Sequence, residues 1–401
     1  MNKIKNPLFF IHLIGIFIFL LTFPFTIFSQ KINDTLSSVP ANILIVQPQV
    51  HIGKLIKIYP DFPSSTFVNF NEINFGLQTC GKKEWQELYG YPQVGLSFIY
   101  GDWSNNSVLG KNYALIPNLA FQKHILKKIK FQTRIGFGFT YFTKHFDVIN
   151  NPTNNVIGSS FTNITFLSED IQYQINQSIQ LNLGISAFHS SDGHYQLPNL
   201  GANVPSVNFG LNYFWNRLPH FYKHDSIKKP NKKWVLNFFA GYGRHEFGSA
   251  TKPTGGPKYP VFNGALFVSK RYKKICNFQT GLSYTYYTDY YDYIINQEIF
   301  NSMQHLKASV ITTFIGNEFI IGKFGLIVQT GINIYNPFLK QFRSGEDSRR
   351  QIDIYIPTKI GIQYYFLDPT DKPKHNIYLG LYMKANFGTA DYAQIATGIT
   401  F

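Results

Sequence analysis

Charge is what this sequence has least of. Of its 401 residues only 15% are Asp, Glu, Lys or Arg, against about 25% in an average soluble domain. With hydrophobic residues at 44%, that scarcity excludes a disordered chain, which needs high charge and little apolar surface. Cysteine is nearly absent as well: Cys80 and Cys276 are the only two. They rule out a disulfide-rich scaffold and have no metal-ligand spacing, so one long-range bridge is the most they allow and a structural zinc is not expected. Acidic residues number 22 against 37 Lys and Arg, for a net charge of +15. Beyond residue 30 no run of about 18 apolar residues occurs, which removes transmembrane helices from consideration.

Aromatic residues are plentiful, with 39 Phe and 26 Tyr making up most of a 17% share. The N-terminus reads as an address. Lys3 and Lys5 precede a run from Leu8 that is apolar except for His12, and the small residue Ser29 follows before the chain turns polar. Residues 1–30 are therefore expected to be a cleaved secretory signal, and the lack of a nearby cysteine argues against a lipoprotein. An exported, aromatic-rich chain without membrane helices points to an outer-membrane β-barrel, because in lipid only helices and closed barrels satisfy their backbone hydrogen bonds internally.

Period-2 alternation recurs along the chain. Ile179, Leu181, Leu183, Ile185 and Ala187 alternate with Gln180, Asn182, Gly184 and Ser186, which predicts a lipid face and a lumen face. Val207, Phe209, Leu211, Tyr213 and Trp215 repeat the pattern, and so do Ile395, Thr397, Ile399 and the terminal Phe401. Short connections near residues 126–128, 176–178, 273–274 and 321–323 alternate with long ones near 142–158, 192–203, 290–305 and 337–353. Short turns belong on the periplasmic side and long loops outside. The fold expected is all-β, a transmembrane antiparallel β-barrel of the outer-membrane type with about 14 to 16 strands.

The chain also repeats itself. The stretch FQTRIGFGFTYFTKHFDVIN from Phe131 resembles FQTGLSYTYYTDYYDYIIN from Phe278, and Gly184 and Gly331 are separated by the same spacing. The expected organisation is a signal at 1–30, an N-terminal segment at 31–90 with a possible first strand pair, and a barrel repeat at 91–215. A linker at 216–233 and a degenerate second repeat at 234–401 complete it. At the repeat spacing His189 and Ser191 correspond to Asn336 and Phe338, so the second half lacks that pair and is expected to widen or close the barrel. One barrel or two remains open from sequence.

Ionisable residues on the lipid-facing register are functional-site candidates by default. His189 and Ser191 continue the odd, outward face of their strand at its outer end. Residues two apart on a strand share a face, about 7 Å apart at the backbone, so the imidazole can reach the hydroxyl as a general base must to activate a serine. Asn203 re-enters on the same register after the loop, where its side-chain oxygen can orient the ring. His189 with His194, and His220 with His224, have spacings a metal uses on a helix, but neither pair falls in a predicted helix; no metal and no cofactor are expected. Lysine clusters at 127–130, 228–233 and 270–274 map to periplasmic turns, so they are read as solvated and not as a nucleic-acid surface.

The stretch HSSDGHYQLPNLGAN, from His189 to Asn203, resembles the lipid A 3-O-deacylase family, also called acyloxyacyl hydrolases of the outer membrane. His189, Ser191, Pro198, Asn199 and Gly201 carry the match in order. The stretch GFGFTYFTKHFDVINNPTNNVIGS from Gly136 looks like the segment preceding the catalytic strand in long members. The resemblance implies a barrel whose His-x-Ser on one strand, with an acidic residue on the next, hydrolyses ester-linked acyl chains of lipid A. It implies lipid A, within lipopolysaccharide, as membrane partner, with a homodimer left open. Asn199 is an oxyanion candidate by resemblance, with a turn role for the Pro-Asn pair equally open.

Two positions depart from the family. Asp192 stands where the family has Asn after the serine, which puts its oxyanion role in question, and Asn203 stands where the acidic member is expected. Asn203 can fix a histidine tautomer but cannot offset an imidazolium charge, so activity is expected to be reduced or its acid to come from elsewhere. A non-catalytic barrel, pore or structural, with a relic dyad is the alternative, and a phospholipase using the same dyad is a third reading.

Overall fold

The computed structural model describes residues 42–59, 61–215, 221–224, 233–248, 255–344, 348–371 and 374–401. The leader expected at 1–30 and most of the linker at 216–233 lie outside them. Among the described residues, sixteen antiparallel strands close as two barrels of eight.

The first barrel comprises β1 (Ile43–Gly53), β2 (Val68–Gln78), β3 (Gln93–Asp102), β4 (Lys111–Leu126), β5 (Ile129–Phe142), β6 (Phe161–Gln174), β7 (Ile179–Ser191) and β8 (Ala202–Phe214). It closes where β8 returns to β1, Ile52 opposite Val207 and Val46 opposite Tyr213. The second comprises β9 (Trp234–Glu246), β10 (Lys258–Lys273), β11 (Cys276–Tyr287), β12 (Ser309–Ile321), β13 (Phe324–Tyr335), β14 (Pro357–Tyr365), β15 (Ile377–Asn386) and β16 (Thr389–Thr400). It closes where β16 returns to β9, and Phe401 N donates to Leu236 O at 2.8 Å. The expectation that the second half widens or closes the first barrel is thereby corrected. With β8 paired to β1, the first barrel has no open edge left for β9 to join.

The repeat is out of phase with closure. Phe131 lies in β5 and its counterpart Phe278 in β11; Gly184 lies in β7 and Gly331 in β13. The repeated block therefore maps β3–β8 onto β9–β14. The pair completing each barrel precedes the block in the first (β1, β2) and follows it in the second (β15, β16).

Alternation sorts the side chains as their period requires. On β7 and β8, Leu183, Ile185, Val207 and Phe209 are each about 60% exposed on the outer wall. The lumen holds polar groups tied to one another, because a buried polar atom without a partner is costly. In the first barrel Arg134 Nη1 and Nη2 donate to Glu72 at 2.7 and 2.8 Å, and Nη2 also reaches Gln49 Oε1 at 2.7 Å. His51 bridges Glu72 Oε2 (2.8 Å) and Ser186 Oγ (2.9 Å). Above this network an apolar layer that includes Phe70, Trp103, Phe142, Phe166 and Phe188 fills the outer end of the lumen. In the second barrel Glu318 accepts from Tyr365, Gln363 and Asn277, and Lys384 pairs with Asp391 at 2.7 Å. Cys80 and Cys276 are both buried and free.

Helices occupy connections read from sequence as loops or strands: α1 (Glu84–Leu88), α2 (Thr288–Gln297), α3 (Gln304–Lys307), α4 (Pro337–Phe342) and α5 (Ser348–Tyr355). In α2 the run TDYYDYIINQ is rich in strand-favouring aromatics. Tertiary packing selects helix instead, since Tyr290 and Ile294, one turn apart, are buried together and Tyr290 stacks on Phe338 at 4.0 Å.

Arg134 neutralises a carboxylate that is otherwise sealed in the barrel. Replacing it, Arg134→Met, is expected to destabilise the first barrel by about 3–5 kcal/mol, the cost of an uncompensated buried charge. Urea titration of the folded protein in lipid vesicles, read by its mobility on unheated gels, measures this.

Candidate active site

The outer ends of β6, β7 and β8 bring polar residues onto a face that is otherwise oily. The ladder sets His189 opposite Asn203 on β8 and opposite Thr165 on β6, with Ser191 opposite Asn163. His189 Nδ1 and Asn203 Oδ1 are 2.8 Å apart. An amide oxygen only accepts, so Nδ1 carries the proton and the lone pair sits on Nε2. His189 is an exposed residue on the outside of the wall.

Ser191 ends β7, and here simple alternation gives way. Strand parity turns it toward lipid, yet it is 8% exposed, with Asn199 of the following loop against its hydroxyl. Its hydroxyl accepts from Asn199 Nδ2 at 2.9 Å. Gly201 lies between the two candidate side chains. A β-carbon there would sit 3.2 Å from His189 Cε1 and 3.6 Å from Ser191 Cβ, so the imidazole edge and the serine border the same point. The backbone at Gly201 has φ +73°, a conformation that costs a side-chain-bearing residue and suits glycine.

The loop is braced from the β5–β6 connection. Leu200 N and Gly201 N donate to Asn155 O and Val156 O at 3.1 and 3.0 Å. That connection is held in turn by asparagine side chains: Asn151 and Asn154 Nδ2 both donate to Val108 O, at 3.0 and 2.8 Å, and Asn155 Nδ2 to Asp61 O at 3.0 Å. The stretch beginning at Gly136 thus contributes a scaffold for the loop that carries Asn199 and Gly201.

Asp192 is buried and accepts from Ser159 Oγ at 3.0 Å. The oxygen that accepts from Ser159 offers no donor hydrogen toward Ser191. Asn199 does carry donors, and its Oδ1 is buried without a hydrogen-bond partner. Reasoning from sequence overlooked Asn163 and Thr165. The available signal was the odd register of β6, where Asn163, Thr165 and Glu169 interrupt Phe161, Leu167 and Ile171. At the repeat spacing in the second barrel, Asn336 Nδ2 donates to Ile354 O at 3.1 Å and Phe338 is buried in the aromatic cluster. That barrel has no equivalent of the His189 and Ser191 pair at those positions.

Comparison with known proteins follows this division. A family model described as lipid A 3-O-deacylase (PagL) matches residues 71–212, and one described as acyloxyacyl hydrolase, C-terminal domain, matches residues 233–401. No curated protein matches the chain. Among solved structures, the crystal structure of the outer membrane enzyme PagL is similar at 16% identity, covering 41% of this chain and 97% of that one, with a TM-score of 0.29. Neisserial surface protein A (NspA) is similar at 9% identity, covering 43% and 96%, with a TM-score of 0.28. The two family models together span most of the chain, which belongs to the lipid A 3-O-deacylase and acyloxyacyl hydrolase family, outer-membrane barrel hydrolases that deacylate lipid A.

Proposed function

We propose that the first barrel is a serine esterase that cuts ester-linked acyl chains from lipid A in the outer leaflet, with Ser191 as nucleophile and His189 as base. The supporting observation is the 2.8 Å contact between His189 Nδ1 and Asn203 Oδ1. It leaves Nε2 as the acceptor, one bond from the Cε1 atom that borders Gly201, which Ser191 Cβ borders too. A site on the outer wall needs no tunnel, since the substrate is already a bilayer component.

Ser191 Oγ attacks the ester carbonyl as its proton passes to His189 Nε2. The tetrahedral adduct collapses, the sugar oxygen leaves with the proton from His189, and an acyl ester remains on Ser191. Water then attacks that ester while His189 takes its proton, and the fatty acid departs as Ser191 regains its hydrogen. Asn199 serves as oxyanion donor in this scheme: its Nδ2 lies 2.9 Å from Ser191 Oγ, and its second hydrogen is free to turn to the carbonyl oxygen of an ester attacked there, where charge develops. Asn203 fixes the tautomer without offsetting the imidazolium, so turnover is slower than with a carboxylate there.

Ser191→Ala and His189→Ala are each expected to lower deacylation by about four orders of magnitude or more, with barrel assembly intact. Mass spectra of lipid A from a host without its own deacylase provide the readout; wild-type rates in the Ser191→Ala variant would remove serine catalysis. A second outcome concerns the missing acid. Asn203→Asp is expected to raise kcat/KM on the order of tenfold or more, while Asn203→Ala lowers it, because the carboxylate adds charge stabilisation to the same orienting contact.

A further inference from the structure

Glu169 stands on the outward register of β6, partly exposed on the oily wall. It is opposite Ile185 on β7 and Thr133 on β5, and Thr133 Oγ1 donates to its Oε2 at 2.7 Å. Its surroundings on that face are apolar: Ile171 is 54% exposed, and Ile185 and Leu183 are more exposed still. A carboxyl group on a lipid-facing wall is costly, and no step of the hydrolysis uses it.

Its position relative to the serine carries the argument. Ile185, its direct neighbour, lies six residues from Ser191 along β7, about 20 Å at the rise of a strand. With strands tilted by about 35–45° this is roughly 15 Å of depth, matching the ~15 Å that one leaflet contributes to the ~30 Å hydrocarbon core. An acyl chain whose ester is at Ser191 and whose tail follows the β6–β7 wall meets Ala187 and then Ile185. Level with Ile185 it meets Glu169, backed by Thr133 on β5.

We propose that the Glu169–Thr133 pair is a polar stop on the acyl track, so that this barrel removes short ester-linked chains in preference to long ones. The proposal rests on the esterase reading above. A chain that ends before Glu169 keeps all its methylenes on apolar surface. A longer chain must press methylenes against the carboxyl group or leave the wall, and either loses contact in the transition state. Both side chains are needed to hold the stop: the hydroxyl satisfies a carboxyl oxygen that lipid cannot.

The test compares full-length protein in mixed micelles on two synthetic glucosamine esters, one carrying a ten-carbon and one a sixteen-carbon chain. Wild type should prefer the shorter. Glu169→Leu should relieve the discrimination roughly tenfold, within the range by which apolar contacts distinguish methylenes, with the rate on the ten-carbon ester unchanged. Glu169→Gln should keep the preference, and Thr133→Val, should Glu169→Leu assemble poorly, should weaken it. An active wild type without preference, or a chain-length ratio unmoved by both Glu169→Leu and Thr133→Val, overturns the polar stop and leaves the esterase standing. Release of neither fatty acid by wild type, or equal release by Ser191→Ala, instead overturns the esterase reading and the stop with it.

Discussion

Every backbone hydrogen bond in a membrane-spanning wall must be made within the protein, and the rest of the structure follows from how this chain meets that demand. β8 returns to β1, and β16 returns to β9. Once each ladder is closed, side chains are divided strictly between oil and lumen, and residues facing inward lose access to bulk water. The inner networks are the consequence. Glu72 is held by Arg134 and His51 in one barrel, and Asp391 by Lys384 in the other, because a sealed charge without a partner would undo the barrel that seals it.

The candidate site is where that division is relaxed. His189, Asn203, Thr165 and Asn163 are polar yet occupy the outward register, gathered at the outer ends of β6, β7 and β8. They meet by cross-strand pairing, which no hydrophobic pattern on a single strand describes. The loop after β7 then covers Ser191, and asparagines in the β5–β6 connection support that loop through its backbone. The outer end of the wall thus sets an exposed histidine close to a sheltered hydroxyl.

The two halves share a strand block but not a chemistry. In the second barrel the position matching Ser191 holds Phe338, which stacks with Tyr290 of α2, and the space above the lumen is packed with aromatic side chains. Because the added strand pair falls before the block in one barrel and after it in the other, each copy reaches eight strands by a different route. An eight-membered antiparallel ring can be cut between any two neighbours without changing its pairing, which is why both routes close.

Alternation of period two was legible directly: the faces of β7, β8 and β16, the short turns near residues 126–128 and 321–323, and the outward position of His189 all follow from the pleat. The polar residues of β6 were legible too, had the same test been applied to Asn163, Thr165 and Glu169. Helix α2 was not, since Tyr290 and Ile294 become a helical face only when Phe338 is there to receive them. Nor was the shelter over Ser191, which depends on Asn199 and Gly201 being brought back by a loop whose conformation is set by contacts with residues 155 and 156. The sequence by itself determined which side of the wall each strand residue meets, because the pleat is a local property of the backbone. Tertiary structure alone decided that the strands close as two rings and that imidazole, amide and hydroxyl converge, because ring closure and cross-strand register are made by residues far apart in the chain.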